Sequence, residues 1–565
     1  MTSKISKSGI QIVFVTFITI VMMQLCTAEL FTALSDMEEL LETEAVLINN
    51  LEAYVEAQEQ KLNFLRRRIN EYQREHDEAA RDISTYISNP INAYLLTKRL
   101  TSDWSIVEQV MSHDLASEFL ENVTMHRNFM KFPSEEDLNG AAVALTRLQD
   151  TYNLDTAAIA RGELNGIKYS SQMSSHDCFE MGRQAYLNSD FYHTLLWMNE
   201  AMARLNNNNN TSTNNEPALV PKADILEYLA FSVFKQGDIR SALEMTNELL
   251  TISPNHDRAV GNKAFYEKEL AKEIEMKADK MLRGDDGSPE LNDGPQKIGV
   301  VDPKVYTTEE RKQYEKLCRG EIVRDGKLLA QLKCRYVTNK SAFLKIAPLK
   351  LEEASLKPYI VVYHDVIYDR EIELIKQMAK PRFRRATVQN HKTGELEIAT
   401  YRISKSAWLK DTDDDIIRNI GVRVEDMTGL TVSTAEELQV VNYGIGGHYE
   451  PHFDFARPEE TNAFARLGTG NRIATVLFYM SDVAQGGATV FPHLNVALWP
   501  RKGTAAFWLN LHKDGVGDYS TRHAACPVLT GSKWVSNKWL HEKGQEFLLP
   551  CDHEPDHPVS ELNTQ

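Results

Sequence analysis

Between residues 30 and 75 the apolar positions return every seven residues. Leu34, Leu41, Ile48, Val55, Leu62 and Ile69 make one row, and Met37, Leu51, Leu65 and Tyr72 make a companion row. A two-row stripe of this period is the seam of an α-helical coiled coil, narrower than the face a helix turns to a globular core. Glu44 and Gln58 interrupt the second row, where polar residues can fix register and partner number. A long helix packed inside its own bundle is the rival reading, and self-association through the seam is favoured over it. Residues 76–170 keep a helical period, with breaks expected at Asn89-Pro90 and Phe132-Pro133 because a residue before proline avoids helical dihedrals.

The pattern changes between 176 and 272, where Gly182, Tyr186, Phe191 and Ala201 are answered by Ala230, Phe234, Gly237, Ala242 and Pro254. Small and large apolar residues in that order predict tetratricopeptide-like helix pairs over 172–275. The interval from Tyr186 to Phe234 is longer than the usual repeat, and Asn206–Leu219, with its five consecutive asparagines, is expected to hold the excess as a loop. Arg283–Lys304 is rich in Gly, Pro and Asp without a periodic face, so a linker is placed over 276–344. From 345 to 551 short β-rich runs, among them ELQVVNY, RIATVLFYM and KWVSNKWL, alternate with glycine turns and predict a β sandwich or jelly roll; 552–565 is left as a tail. The expected architecture is multidomain: a helical coiled-coil region (29–171), an all-α tetratricopeptide-like domain, and a C-terminal double-stranded β-helix.

At 565 residues the chain exceeds what one hydrophobic core supports, in keeping with that division. A net charge of -17 argues against a nucleic-acid partner. Residues 1–28, with lysines before the apolar run Ile10–Leu25 and small side chains after it, read as a secretory signal peptide. An uncleaved anchor is the rival, but the run falls short of the ~20 residues of a membrane span, so no stable span is expected. That compartment permits disulfides and N-glycans. Proximity in sequence favours Cys318 with Cys334 and Cys526 with Cys551, leaving Cys178 as a small buried side chain. Sequons stand at Asn122, Asn209, Asn210 and Asn339.

Chemistry concentrates in the stretch Val440–Phe455, VVNYGIGGHYEPHFDF. On a strand, residues i and i+2 share a face, so His452 and Asp454 can converge on one point as two facial metal ligands. A non-heme Fe(II) site needs one more histidine and an open opposite face. A second His-X-Asp triplet, His512-Lys513-Asp514, lies in a glycine-containing loop and reads as a solvated turn. Candidates for the third ligand are His493, His523 and His541. His523 is preferred, because it opens a plausible strand and Lys533 follows ten residues later. A dicarboxylic co-substrate that chelates iron at one end needs a cation at the other, and Lys533 can supply it.

With these residues in place, Val361–Cys551 resembles the catalytic domain of collagen prolyl 4-hydroxylase α subunits, through HDVIYDREIELIKQMAKPRFRRATV, GTGNRIATVLFYMSD, GGATVFP, DYSTRHAACPVL and KWVSNKWLHE. The heptad segment, the helix pairs and the linker fall in that family's order. The resemblance implies that His452, Asp454 and His523 bind iron and that Lys533 holds the 2-oxoglutarate tail, with Tyr443 and Thr489 beside the co-substrate. It implies Tyr449, Arg472 and Trp539 near the substrate proline or in the active-site wall, and it favours the same two local disulfides. In the family's tyrosine-rich peptide groove this sequence carries Phe231, Phe234 and Phe265, while Tyr186, Tyr228, Arg258 and Asn262 keep the family's type. It further implies proline 4-hydroxylation of procollagen-like, proline-rich chains, ascorbate as reductant, and protein disulfide isomerase as β subunit in an assembly with two of each chain, in the lumen of the endoplasmic reticulum. The C-terminus lacks a Lys-Asp-Glu-Leu-type retrieval signal, so retention is expected to come from that partner. A related dioxygenase acting on another residue and a non-catalytic procollagen chaperone are the alternatives.

Overall fold

The computed structural model describes residues 33–83, 86, 90–211, 220–282, 308–339, 341–389, 396–399, 401–460, 463–464 and 467–552. Residues 1–28, expected as a signal peptide, the stretch Arg283–Lys304 and the residues beyond 552 lie outside the described residues. The chain divides into two compact units, 35–134 and a larger one that includes 135–565.

In the smaller unit, helix α1 (Leu34–Arg81) runs unbroken for 48 residues. Helices α2 (Pro90–Lys98), α3 (Trp104–Ser112) and α4 (Leu115–Arg127) pack along it, the first beginning at the expected proline break. Tyr54 meets Phe119 edge-on, Tyr72 lies beside Trp104, and the Lys61 ammonium donates to the carbonyls of Met111 and His113. These contacts use Tyr72 from the companion row. The principal heptad row stays outside them, with Leu41, Ile48, Val55, Leu62 and Ile69 between 47% and 67% exposed.

The larger unit opens with α5 (Glu135–Tyr152), followed by α6 (Ser175–Leu187), α7 (Phe191–Thr211), α8 (Lys222–Lys235), α9 (Ile239–Ile252) and α10 (Asp257–Leu282). Ser174 and Asp177 form a capping box at the start of α6, and the Asp238 carboxylate accepts from the Ser241 amide at the start of α9. A Cβ at Gly182 would stand 2.9 Å from Met198, so glycine is what lets α6 and α7 pack so closely. The asparagine run at the start of the loop expected over Asn206–Leu219 is helical instead, and residues 212–219 lie outside the described residues. Helix α7 continues through it to Thr211, since an established helix extends for one hydrogen bond per residue and asparagine costs under ~1 kcal/mol against alanine. The side chains of Asn209 and Asn210 lie outside the description.

The C-terminal domain is built on β1 (Cys334–Val337), β2 (Leu349–Leu356), β3 (Tyr359–His364), β4 (Arg384–Arg385), β5 (Arg402–Ile403), β6 (Lys405–Leu409), β7 (Leu438–Tyr443) and β8 (His448–His452). It continues with β9 (Arg472–Tyr479), β10 (Thr489–Phe491), β11 (Val496–Leu498), β12 (Ala505–Leu509), β13 (His523–Ala525) and β14 (Lys533–His541). A large antiparallel sheet has the order β1-β2-β3-β12-β9-β14-β7-β6-β4, and a smaller one faces it in the order β11-β10-β13-β8-β5. This is the expected double-stranded β-helix. Period two assigns the faces: Val440, Val476 and Phe478 turn outward under α12 (Asp369–Ala379) and α13 (Asp415–Thr428), while Val441, Tyr443, Leu477, Tyr479 and Val535 turn inward between the sheets.

The outer face of the small sheet is covered differently. Val490, Ala524 and Cys526 share one buried cluster with Leu148 and Tyr152 of α5, Trp197 and Met198 of α7, and Tyr314 and Leu317 of α11 (Glu309–Cys318). The segment expected as a linker over 276–344 thus contains a helix, α11, packed on the small sheet, and an edge strand, β1, of the large one. The helix-pair and β-helix domains are consequently not separate cores.

That packing also redraws the disulfides. Cys318, at the end of α11, bonds to Cys526, just past β13, across 208 residues of sequence. Cys334 and Cys551 are exposed thiols and Cys178 is a buried one, so the two expected local pairs are not formed. Sequence proximity misled here because α11 lies on the sheet while Cys334 belongs to the opposite sheet's edge.

Among the sequons, Asn122 is half-buried within α4. The Asn339 amide nitrogen donates to the carbonyls of Asp426 at 3.2 Å and Met427 at 2.7 Å. A glycan would be attached at that same nitrogen, so peptide mass spectrometry of the protein expressed through a glycosylating host should find Asn339 unmodified; a high-occupancy glycan there would contradict these contacts.

His193 is 2% exposed between Asp190, 2.7 Å from Nδ1, and Asp150 of α5, 3.4 Å from Nε2. Burial alone would depress its pKa, but hydrogen bonds and charge from Asp150 and Asp190 outweigh it and raise the pKa to about 9. Because the folded value lies above the ordinary one, the stabilisation is complete below pH 6.5 and is lost as pH rises through about 9. Denaturant titrations of wild type should show stability falling over that window, and His193→Gln should flatten the fall; parallel curves would refute the charged pair.

Candidate active site

His452 closes β8, and Asp454 follows in the bend just beyond the strand rather than on it. His523 opens β13, which pairs antiparallel with β8 so that His452 and His523 are directly opposite. The Nε2 atoms of His452 and His523 lie 3.8 Å and 3.6 Å from the two carboxylate oxygens of Asp454. All three offer a ligand atom within 4.8 Å of the others, close enough for one ion at metal-ligand bond lengths of about 2.1 Å after slight contraction.

The hydrogen bonding prepares those atoms. Nδ1 of His452 is 2.7 Å from the Glu450 carbonyl and Nδ1 of His523 is 3.0 Å from the Thr521 carbonyl. Carbonyls accept only, so each Nδ1 carries the proton and each Nε2 presents a lone pair inward. Burial, and then the neighbouring His523, hold the His452 pKa well below the ordinary value, so its ring is neutral. Asp454 is held ionised at about 2: burial opposes this and is outweighed by His523, His452 and Arg472. Its Oδ2 also accepts from Thr475 at 2.7 Å, whose hydroxyl accepts from Asn510 at 2.9 Å. Two imidazoles, a carboxylate and the hydrogen bonds behind them fit a divalent transition metal.

The other histidines are placed elsewhere. His541 is buried against Glu436 and the Gly470 carbonyl, His493 is half exposed beside Glu310, and His512 sits in the turn closed by its amide and the Val516 carbonyl.

Two cavities meet at His452 and Asp454, and the inner one also reaches His523. The inner one is lined by Lys533, Tyr443, Thr489, Leu477 and Trp508. Lys533 is 1% exposed with its ammonium 5.0 Å from the Tyr443 ring centroid, and burial lowers its pKa to about 7. The Thr489 hydroxyl accepts from the Tyr479 hydroxyl at 2.8 Å. The outer cavity, about 580 Å³, is walled by Tyr449, Arg402, Arg472 and Trp539. Tyr449 stacks on His452 with centroids 3.5 Å apart, and the Arg472 guanidinium lies 3.9 Å over Trp539. Glu436 fixes that guanidinium with contacts of 2.5 Å and 3.0 Å, and its own carboxyl is pulled down to about 2: burial is outweighed by Arg472, then His541. The sequence reading named Tyr443, Thr489, Tyr449, Arg472 and Trp539, and all reach these cavities. It missed Thr475, Asn510, Glu436, Tyr479 and Arg402. Thr475 carried a readable signal, a polar residue on the inward face between the two sheets in step with Leu477 and Tyr479.

On the helix pairs, Tyr186, Tyr228, Phe231, Phe234 and Phe265 form a chain of ring contacts 4.9–6.3 Å apart. These rings are half-buried or exposed, whereas Trp197, Tyr266 and Met198 fill the interior. Arg258 is exposed and paired with Glu227 at 2.8 Å, and Asn262 is half-buried on α10.

The β7–β14 span, residues 438–541, matches the family model "2OG-Fe(II) oxygenase superfamily", the class that this β-helix and its His-Asp-His centre define. Residues 33–166 match "Prolyl 4-Hydroxylase alpha-subunit, N-terminal region" and residues 175–272 match "Prolyl 4-hydroxylase peptide-substrate-binding domain". The chain is 50% identical over 535 residues to prolyl 4-hydroxylase subunit alpha-2 of Caenorhabditis elegans, covering 94% of this chain and 95% of that one. It is 48% identical over 523 residues to subunit alpha-1 of Homo sapiens, covering 92% and 95%, and 45% identical over 526 residues to subunit alpha-2 of Gallus gallus, covering 93% and 95%. The chain belongs to the prolyl 4-hydroxylase α-subunit family.

Thr475→Val removes the hydroxyl behind the Asp454 carboxylate while keeping its volume. Direct titration with a divalent metal should show affinity reduced about tenfold, the size usual for a hydrogen bond behind a ligand; unchanged affinity would make Thr475 a packing residue only.

Proposed function

We propose that this chain hydroxylates peptidyl proline at C4 in procollagen-like chains, using Fe(II), 2-oxoglutarate and O2 and releasing succinate and CO2. The observation that carries this reading is the placement of the His452–Asp454–His523 centre between a small inner cavity ending on one buried ammonium and a larger outer cavity walled by aromatic rings. Iron with its chelated co-substrate supplies the oxidising chemistry, and ascorbate serves as reductant. The protein's own groups do the placing.

Lys533 receives the distal carboxylate of 2-oxoglutarate, with Tyr443 and Thr489 beside it. Tyr449, Arg472 and Trp539 frame the proline, Trp539 through its ring and Arg472 through the guanidinium that Glu436 holds still. The chain of rings from Tyr186 to Phe265 suits an extended polyproline II segment, which loses little entropy on docking against aromatic faces. Arg258 and Asn262 lie near enough to that surface to serve the peptide's carbonyls. The exposed heptad row on α1 is the surface for self-association as a coiled coil. Protein disulfide isomerase as β subunit, an assembly with two of each chain and residence in the endoplasmic reticulum lumen complete the reading. They are supported by membership of the family; among the described residues, no helix is long and apolar enough to cross a membrane.

Incubation with a Pro-Pro-Gly repeat peptide, Fe(II), 2-oxoglutarate and ascorbate should add one oxygen to proline, located by tandem mass spectrometry, with matching succinate release. Binding without mass gain would favour a chaperone, and oxygen on another residue a different dioxygenase. Lys533 gives a second test. In the free enzyme its pKa is about 7, and a carboxylate binds the ammonium form, so 2-oxoglutarate binding takes up a proton above that pH. Calorimetric affinity should fall by up to about tenfold per pH unit above 7, and Lys533→Ala should lose both the affinity and the pH dependence. Equal binding by Lys533→Ala and wild type would move the role to another cation.

A further inference from the structure

Helix α5 belongs to neither the helix pairs nor the β-helix, yet it touches both at points that matter. On one side Asn139 donates to Gln184 of α6 at 2.9 Å, and Asp150 lies 3.4 Å from the buried His193 of α7. On the other side the Ala144 carbonyl stands 2.8 Å from where a Cβ at Gly446 would be, the Arg147 guanidinium approaches the Gly446 carbonyl at 3.5 Å, and the Tyr152 hydroxyl donates to the Pro527 carbonyl at 2.5 Å. Gly446 has φ +56°, a conformation that favours glycine, and a side chain there would collide with the α5 backbone.

Gly446 and Pro527 mark a junction in the iron site. The turn at Gly446-Gly447 leads into β8, which ends on His452, and Pro527 follows β13, which begins on His523. The Val528 amide donates to the Gly447 carbonyl at 3.1 Å, tying the two ligand strands together where α5 meets them. The Gly487 amide donates to the same Pro527 carbonyl at 3.0 Å, and a Cβ at Gly487 would sit 3.3 Å from the Lys533 side chain. Tyr152 is buried, and the cluster it joins contains Trp197 of the helix pairs as well as Ala524 beside His523.

We propose that α5 is a brace through which the peptide-binding helices set the spacing of the iron ligands, with Tyr152 and Arg147 as positioning residues at the junction of the two ligand strands and Asp150 as the anchor on the helix-pair side. The inference rests on the proposed iron centre. None of the three residues touches substrate or metal. Tyr152 and Arg147 act on the backbone carbonyls beside β8 and β13, and Asp150 acts on His193. A catalytic unit of this family member is therefore defined from residue 135 onward, and the segment matched to the N-terminal region contributes directly to it.

The test uses the full chain in its native assembly with Co(II) in place of iron, because the d–d absorption of Co(II) reports coordination number and geometry independently of turnover. Tyr152→Phe is expected to weaken Co(II) binding about tenfold and to shift the absorption envelope, while affinity for a Pro-Pro-Gly repeat peptide stays within twofold of wild type. Asp150→Asn, whose side chain faces His193, is expected to reproduce the Co(II) loss. Co(II) affinity and spectra equal to wild type in both variants would overturn the brace. If Tyr152→Phe lost peptide binding as well, marking a folding defect, Asp150→Asn and Arg147→Lys would decide by the same measurement. Failure of the wild type itself to bind Co(II) would instead sink the iron centre, an outcome distinct from wild type and variants binding alike.

Discussion

The carboxylate of Asp454 is buried and ionised, with the imidazoles of His452 and His523 facing it. Removing such a charge from water costs several kcal/mol unless hydrogen bonds or a cation offset it. Thr475 and Asn510 supply the hydrogen bonds, Arg472 contributes charge from a distance, and a divalent ion is the partner the geometry leaves room for. Much of the β-helix can be understood as what that arrangement requires. One ligand strand must lie directly beside the other, and the β8–β13 pairing places His452 opposite His523. The carboxylate must reach back over the strand end, and the irregular register of β8 between Tyr449 and His452 turns the chain where Asp454 begins to do so.

The same demand shapes the outside. Strands β8 and β13 are short, and a five-stranded sheet carrying two of the ligands has one face that must be kept dry without help from the large sheet. Helices α5 and α11 provide that cover, and α11 adds the Cys318–Cys526 bond and an ion pair from Glu310 to Arg522, next to His523. The helix pairs then continue the same apolar cluster. Peptide-binding helices and catalytic strands are joined through a shared interior, so neither is expected to keep its present packing alone.

What could be read from the sequence divides along the same physical lines. Heptad rows, the β alternation and the His-X-Asp spacing are local, and local periodicity is a direct consequence of backbone geometry. His523 and Lys533 were legible because they fall on strands with a recognisable spacing, and the outward rings of the helix pairs because their residue types match the family's groove. Thr475, Asn510 and Glu436 act across 21 to 36 positions of sequence on partners that only the folded sheets bring near, and of the three only Thr475, by its place in the strand alternation, carried a local signal. Disulfide pairing is non-local in the same way, which is why proximity favoured Cys334 for Cys318 while the fold chose Cys526. The asparagine run misled for the opposite reason: composition suggested a loop, but α7 was already long and packed when it reached those residues.

The peptide groove shows how the remaining departure from the family's residue types fits this frame. On the proposed reading, Phe231, Phe234 and Phe265 offer ring faces for a polyproline segment to stack on and lack hydroxyls to bond its carbonyls. Part of that loss can be made up from the groove's edge. Arg258 is 75% exposed, so its side of the contact with Glu227 is screened by solvent. Turning the guanidinium toward a peptide carbonyl therefore costs little, while Glu227, only 13% exposed, stays near His256 at 3.5 Å. On the proposed reading, ring spacing selects the extended proline-rich conformation, and a single mobile cation supplies polar contact without requiring a fixed register. A groove of that kind suits a long repetitive substrate, which must move past the iron centre to present one proline after another.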